Sequence, residues 1–252
     1  MQRGGVSYVL GLPDGIRACL FDMDGVVTKT AVVHAAAWKE MFDEFLRQWS
    51  AKNGTPFVPF DSAHDYDQYV DGKPRLDGTR SFLESRGIAL PEGSEDDPPG
   101  APTIHGLSNR KNELVLAVLK RDGVEVYEGS RRYIEAVRAA GLRTAIVSSS
   151  ANTQAVLDAA GVAGLFDVRV DALVAKARGL HGKPAPDTFL EAARMLGFAA
   201  AEAAVFEDAL AGVAAGRAGN FGFVVGVDRV GQADALRSHG ADIVVKDLGE
   251  LL

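Results

Sequence analysis

The sequence predicts an α/β protein: a Rossmann-like open parallel sheet core with an α-helical domain inserted after its first strand. Short apolar runs at Ile16 to Phe21, Thr144 to Val147, Ala203 to Phe206, Phe221 to Val227 and Ile243 to Val245 each end in polar or acidic residues. Helical patterns at Ser130 to Ala140, Asn152 to Ala160, Pro186 to Leu196 and Asp208 to Arg217 accompany them, the rhythm of a parallel sheet flanked by helices. From Val32 to Gly123 no comparable strand is visible. That stretch carries amphipathic patterns at His34 to Trp49, Gly78 to Ser85 and Asn109 to Lys120. The expected division is a core of residues 1–31 and 124–252 and a helical domain of residues 32–123.

A chain of 252 residues with 47% hydrophobic content can bury a substantial core without staples. Its 27 Lys and Arg against 34 Asp and Glu give a net charge of −7, which opposes a phosphate backbone, so no nucleic-acid partner is expected. The lone Cys19 sits in an apolar run and reads as a buried packing residue of a protein in a reducing compartment. The N-terminal MQRGGVSYVLGLPDG has no sustained apolar segment ahead of a cleavage site, and the chain lacks the ~20 apolar residues of a membrane span. A cytoplasmic protein with no membrane partner is expected. Asn53 to Pro56 and Pro91 to Thr103 read as loops, the second, with its acidic run Glu95-Asp96-Asp97, as a mobile one.

The first strand ends in Asp22-Met23-Asp24-Gly25, which brings two carboxylates to the carboxyl end of a strand, where a parallel sheet places its active site. Alone, the motif fits a calcium-loop fragment or a turn equally well. The second strand runs into Ser148-Ser149-Ser150 with Asn152 opening a helix, an arrangement suited to an anion and also to a routine helix cap. Lys183 precedes a proline-initiated helix, and Glu207-Asp208 follows a further apolar run. Asp22, Asp24 and Asp208 brought together would repel one another unless a cation lay between them, and hard oxygen ligands select Mg²⁺. Lys183 would then offset the charge of a phosphoryl group.

In these motifs, taken in order, the sequence resembles the haloacid dehalogenase-like phosphotransferase superfamily. The resemblance implies that Asp22 attacks phosphorus to form an aspartyl phosphate and that Asp24 is the general acid and base. Ser148 and Lys183 would hold phosphoryl oxygens. The Mg²⁺ would be bound by Asp22, the Asp24 carbonyl and Asp208, with Glu207 beside it. The helical insertion occupies the place of the family's cap domain.

A closer resemblance, to the β-phosphoglucomutase family, covers most of the chain. It rests on Thr30-Ala31-Val32-Val33-His34 with Trp38 one turn on, on Asp71-Gly72-Lys73-Pro74-Arg75-Leu76-Asp77-Gly78, on Arg110-Lys111-Asn112 and on Ser148-Ser149-Ser150-Ala151-Asn152. It implies that Arg75 grips the phosphate that is not transferred, that Lys111 lies at the cap face of the site, and that His34 and Trp38 stand next to the sugar. Thr30, Gly72, Asp77, Ser149, Ser150 and Asn152 complete the expected substrate-binding set. Without that joint pattern, His34 and Trp38 would be read as packing and Arg75 and Lys111 as a solvated face. Three departures stand out: Lys29 in place of an acidic residue, Gly78 in place of a small hydroxyl residue, and Ala151 in place of a lysine.

The function so implied is Mg²⁺-dependent phosphoryl transfer to and from a small phosphorylated sugar, converting β-glucose 1-phosphate to glucose 6-phosphate through the 1,6-bisphosphate, by a monomer. A phosphatase of the same superfamily differs only in admitting water to phospho-Asp22. A dehalogenase would give Asp24 no leaving oxygen to protonate. In a phospho-receiver signalling domain the lysine strand closes the constellation, whereas here Glu207-Asp208 follows Lys183 and a cap interrupts the fold.

Overall fold

The computed structural model describes residues 10–252, and the reading of the chain start as leaderless falls partly on residues 1–9, outside the described residues. Six strands, β1 (Ala18–Phe21), β2 (Arg143–Val147), β3 (Val168–Val170), β4 (Ala203–Glu207), β5 (Phe223–Val227) and β6 (Ile243–Val245), form one parallel sheet in the order β3-β2-β1-β4-β5-β6. Five follow from their apolar runs. The sixth, β3, has Arg169 at its centre and only Val170 fully buried, so it carried no apolar run to read.

Successive side chains of a strand point to opposite faces. On one face Leu20, Ala145, Val147, Ala203 and Val205 pack against Phe189 and Ala192 of α7 (Asp187–Leu196), Val213 of α8 (Leu210–Ala218) and Leu236 of α9 (Ala233–His239). Phe21 points the other way and stacks on Phe206 with ring centroids 4.5 Å apart. Tyr133 of α4 (Glu128–Ala139) meets both rings and donates its hydroxyl to Leu10 O at 2.8 Å. Cys19 is fully buried, as its surroundings in sequence implied, and burial pushes its thiol up. Two short helices, α5 (Thr153–Ala159) and α6 (Ala172–Arg178), complete the core.

The chain divides into two compact units, residues 10–29 with Glu125–Leu252, and Thr30–Val124. In the first, the segments that lead out of and back into the core run side by side. Lys29 N donates to Glu125 O at 2.8 Å, Lys29 Nζ meets Glu125 Oε2 at 2.7 Å, and Thr28 bridges Val126 antiparallel.

The second unit is helical: α1 (Ala31–Asn53), a π-turn at Tyr66–Val70, α2 (Arg75–Ser85) and α3 (Ile104–Asp122). Trp38, Met41, Phe42 and Phe45 repeat at helical spacing on α1 and close over Phe60, Phe82 and Leu107. Gly54, left-handed at φ 66°, ends α1. Each helix begins earlier than its amphipathic pattern. The start of α3 is set by Thr103, whose hydroxyl accepts from Gly106 N at 2.9 Å.

The loop 91–103 corrects the expectation of mobility. Asp97 Oδ2 accepts from Ser94 N at 3.1 Å and Thr103 Oγ1 at 2.6 Å, while Asn109 Nδ2 donates to the carbonyls of Glu95 and Asp97. The acidic run thus fastens the loop to the start of α3. Among the described residues no helix is long and apolar enough to cross a membrane.

Candidate active site at the strand ends of the core

Strand order reverses between β1 and β4, the switch point at which open parallel sheets leave a crevice outside their carboxyl ends. Phe21 is in register with Phe206, so Asp22 and Glu207 leave the sheet side by side. Asp22 N donates to Phe206 O at 2.9 Å, which fixes its backbone. Carboxylate oxygens of Asp22, Glu207 and Asp208 lie within 4.8 Å of one another, and all three residues are buried. Asp24, half-buried, is outside that trio of carboxylates.

Lys183 is 2% exposed and donates to Asp22 Oδ1 at 2.5 Å, Glu207 Oε1 at 2.6 Å and Val147 O at 3.1 Å. An ammonium has three protons, and each has a partner here. Glu207 uses its other oxygen to accept from Ala209 N at 2.9 Å. It has no exposure, so its role in the free protein is to hold Lys183 and the start of the following turn.

Burial pushes the Asp22 carboxyl well above its usual range; Lys183 pulls it down, and Glu207 and Asp24 push it up again. Lys183 is itself opposed by burial, yet the Asp22 and Glu207 carboxylates beside it hold its protonated form above the usual lysine range. Three buried carboxylates thus gather beside one ammonium. Hard oxygen donors set this close are the chemistry that holds a divalent cation.

Ser148 is 2% exposed at the end of β2. Its Oγ accepts from Ser150 N at 3.1 Å, and Ser150 Oγ accepts from Asn152 N at 3.1 Å, so two successive serine turns shape the loop. A hydroxyl that accepts an N–H still has its own proton to give. Ser149, Ser150 and Asn152 are half-buried on this loop, and the helix begins at Thr153, one residue later than read.

The remaining expected residues belong to the helical unit. Thr30 precedes α1, is buried, and gives its carbonyl to His34 N at 3.0 Å. His34 Nδ1 lies 2.6 Å from Lys111 Nζ. An ammonium only donates, so Nδ1 accepts and a neutral ring carries its proton on Nε2. Lys111 is 5% exposed and stands 4.8 Å over the Trp38 ring. Trp38, 3% exposed and stacked on Phe42, belongs to the packing of this unit. Gly78 lies against it: a Cβ there would come 3.3 Å from Trp38 Cζ2.

Gly72 turns the chain at φ 69° ahead of α2. Arg75 opens α2 with a buried Nε that has no hydrogen-bond partner, and burial lowers its pKa. Asp77 is exposed and pairs with Arg80 Nη1 at 2.7 Å.

Among the residues at the core site not singled out from sequence is Arg229, which donates from Nε to Gly25 O at 2.8 Å. It follows β5 by two positions, and its place at the carboxyl edge of the sheet was the available signal.

A model of the haloacid dehalogenase-like hydrolase family matches residues 16–220, more than half of the chain. β-Phosphoglucomutase of Mycobacterium tuberculosis is 58% identical over 249 residues, covering 98% of this chain and 95% of the relative. Fructose-1-phosphate phosphatase YqaB of Escherichia coli is 30% identical over 203 residues, covering 79% of this chain and 90% of the relative. The crystal structure of β-phosphoglucomutase from Clostridium difficile superposes with a TM-score of 0.71 at 25% identity, covering 94% of this chain and 93% of that one. The chain belongs to the β-phosphoglucomutase-like branch of the haloacid dehalogenase-like hydrolase family and is an enzyme, a phosphomutase or a phosphatase.

Proposed function

We propose that the protein is a β-phosphoglucomutase that converts β-glucose 1-phosphate to glucose 6-phosphate through an aspartyl phosphate on Asp22. The observation that carries the mutase over the phosphatase is Arg75, whose buried Nε has no hydrogen-bond partner among the described residues. A buried guanidinium donor left unmatched is costly, and a phosphate oxygen supplies the match. A hydrolase of monophosphates needs one phosphate site; a mutase that passes through a bisphosphate needs two. The 58% identity to a β-phosphoglucomutase points the same way.

In this reading phospho-Asp22 transfers its phosphoryl group to O6 of the sugar, and Asp24 takes the proton that O6 loses. The product is the 1,6-bisphosphate with Asp22 free. After the sugar turns over, Asp22 attacks the phosphorus at C1, Asp24 returns the proton to the departing O1, and glucose 6-phosphate leaves with Asp22 phosphorylated again. Ser148 donates to a phosphoryl oxygen. Lys183, already beside Asp22, shifts a proton donor from carboxylate to phosphoryl oxygen as charge moves there.

Asp22, Asp208 and the Asp24 carbonyl would hold Mg²⁺, with Glu207 beside them; the ion would offset charge on the transferring group. Arg75 holds the second phosphate, and Lys111 with the Nε2 proton of His34 addresses the sugar side. Thr30, Gly72, Asp77, Ser149, Ser150 and Asn152 are assigned to the binding set on sequence alone, and Trp38 supports Lys111 from within the packing. We place the enzyme in the cytoplasm, as a monomer.

The test is a product assay: β-glucose 1-phosphate with Mg²⁺ and a trace of bisphosphate, scored for glucose 6-phosphate against free phosphate. Glucose 6-phosphate as the main product supports the reading. Stoichiometric free phosphate replaces it with the phosphatase.

A further inference from the structure

The loop between β5 and α9 touches the catalytic loops at two points. Arg229 donates from Nε to Gly25 O at 2.8 Å, and Gln232 donates from Nε2 to Asp208 O at 3.0 Å. Gly25 and Asp208 lie against each other, since a Cβ on Gly25 would fall 1.7 Å from Asp208 Oδ2. One five-residue loop therefore grips the backbone of both Gly25 and Asp208, on either side of that approach.

The loop is built to be stiff. Asp228 N donates to Val245 O at 2.8 Å, which ties the loop to the end of β6. Asp228 Oδ1 accepts from Gly231 N at 2.7 Å and Gln232 N at 2.8 Å, closing the turn on itself. The Arg229 guanidinium is spread across a wide span. While Nε holds Gly25, Nη1 donates to Lys246 O at 2.7 Å and reaches Asp247 Oδ2 at 3.3 Å. Its plane lies over Tyr127, with Cζ 3.5 Å from the ring centroid.

Tyr127 in turn donates its N–H to Val27 O at 3.0 Å, three residues beyond Asp24. The guanidinium is thus a strut between the β1 turn, the β6 end and the segment that supports Val27. Its Nη2 is buried without a hydrogen-bond partner. Such a cost is borne where the fork's other contacts fix a geometry.

We propose that Arg229 and Gln232 are positioning residues that set the Asp24-Gly25 backbone and the Asp208 carboxylate for phosphoryl transfer, acting through Gly25 O and Asp208 O. The proposal rests on the reading of Asp22, Asp24 and Asp208 as the catalytic and ion-binding groups. The contacts of Arg229 and Gln232 with the catalytic loops run to main-chain carbonyls, Gly25 O and Asp208 O. Their removal should therefore affect turnover and ion affinity, leaving substrate affinity near its wild-type value.

The experiment compares wild type with Arg229→Gln, Arg229→Ala and Gln232→Leu. Glutamine keeps a donor but loses the fork, and leucine keeps the bulk of Gln232 without the donor. Four quantities are read: kcat, KM, the Mg²⁺ dissociation constant of metal-free protein by titration calorimetry, and Tm. Gln232→Leu and Arg229→Gln should lower kcat by about tenfold or more while KM stays within about threefold, and weaken Mg²⁺ by about fivefold. Millimolar guanidinium should restore part of the kcat of Arg229→Ala, since the Gly25 and Lys246 carbonyls and the Tyr127 ring remain to bind it.

The proposal is overturned if Gln232→Leu keeps both kcat and Mg²⁺ affinity at the wild-type value, or if every loss simply tracks a fall in Tm without guanidinium rescue. Acetyl phosphate hydrolysis is measured in parallel. If wild type yields only free phosphate from β-glucose 1-phosphate, the mutase reading falls, while the Mg²⁺ affinities and acetyl phosphate kcat still decide the role of Arg229 and Gln232.

Discussion

Gly25 and Asp208 share one space: the Asp208 carboxylate lies where the first side-chain carbon of any other residue at position 25 would have to go, 1.7 Å from Oδ2. Gly25 also has φ 92°, a conformation that favours glycine, and its N–H reaches Thr28 O at 2.8 Å. Gly25→Ala should therefore displace Asp208, lower kcat by about a hundredfold or more, and cost about 1–3 kcal/mol of stability. Steady-state rates and a denaturant titration check it. A variant with wild-type turnover would show that Asp208 need not stand where it does.

Asp22→Asn should abolish turnover, because an amide does not attack phosphorus, and should leave the protein at least as stable as wild type at neutral pH without divalent ions. The sign follows from burial. Asp22 is held above its ordinary value of 3.8 in the folded protein, so its contribution to stability is full below that value and is lost as pH rises through the raised one. The Tm difference between variant and wild type should grow from about pH 4 to about pH 7 and shrink when Mg²⁺ is added. A variant markedly less stable at neutral pH would contradict this.

Lys183→Ala strips the buried Glu207 and Asp22 carboxylates of their cation. Removing one partner of a fully buried pair costs about 3–5 kcal/mol. The loss should be visible in the urea midpoint and be partly recovered by adding Glu207→Leu, which removes one of the two stranded charges. If the double variant is no more stable than the single, the two residues are not paired in solution.

Arg75→Ala should lower glucose 6-phosphate formation by about tenfold or more, the value of a charge-assisted contact to phosphate. Hydrolysis of acetyl phosphate, which has no second phosphate, should change far less. Arg75→Lys should rescue in part, keeping charge but losing the planar fork. Unchanged mutase turnover in Arg75→Ala would remove the main support for two phosphate sites.

Asp97→Ala should expose the loop 91–103 to protease, because it deletes the acceptor shared by Ser94 N and Thr103 Oγ1. Limited proteolysis with cleavage mapped by mass spectrometry reads it; equal resistance of variant and wild type would mean that the loop is held by its remaining bonds.

The core could be read from sequence because its strands are apolar on both faces and its helices show one apolar side. Leu20 and Phe21 serve opposite sides of the sheet, so the run around them has no gap. Asp22, Ser148 and Glu207-Asp208 were legible because each lies at the end of a strand whose direction was already clear, and Lys183 because it precedes the proline-initiated start of α7. Elements with mixed environments were not: Arg169 interrupts β3, and the π-turn at Tyr66–Val70 has no repeat to recognise. Trp38 and Asp77 show the limit for side chains. A motif gives their place in the chain, but whether Trp38 packs on Phe42 or Asp77 pairs with Arg80 depends on neighbours distant in sequence or on a neighbour one turn away. Arg229 was missed because its only signal was its place two residues after β5, while the strut it forms across three loops joins segments distant in sequence.

The pairing of Lys29 with Glu125 bears on how such a chain could be built and rebuilt. The outgoing and returning segments are one backbone hydrogen bond apart, and the cluster around Leu20 and Phe189 in one unit shares no residue with that around Phe42 and Phe82 in the other. A graft at this point would leave both of those clusters whole: residues 30–124 can be exchanged for another helical insert whose ends lie equally close. Because Thr28 and Val126 already pair as a rudimentary ribbon on the core side of the splice, the junction is a doorway with its frame built into the catalytic half. Specificity on such a scaffold can evolve by replacement of a whole cassette while Asp22, Lys183 and Asp208 remain untouched.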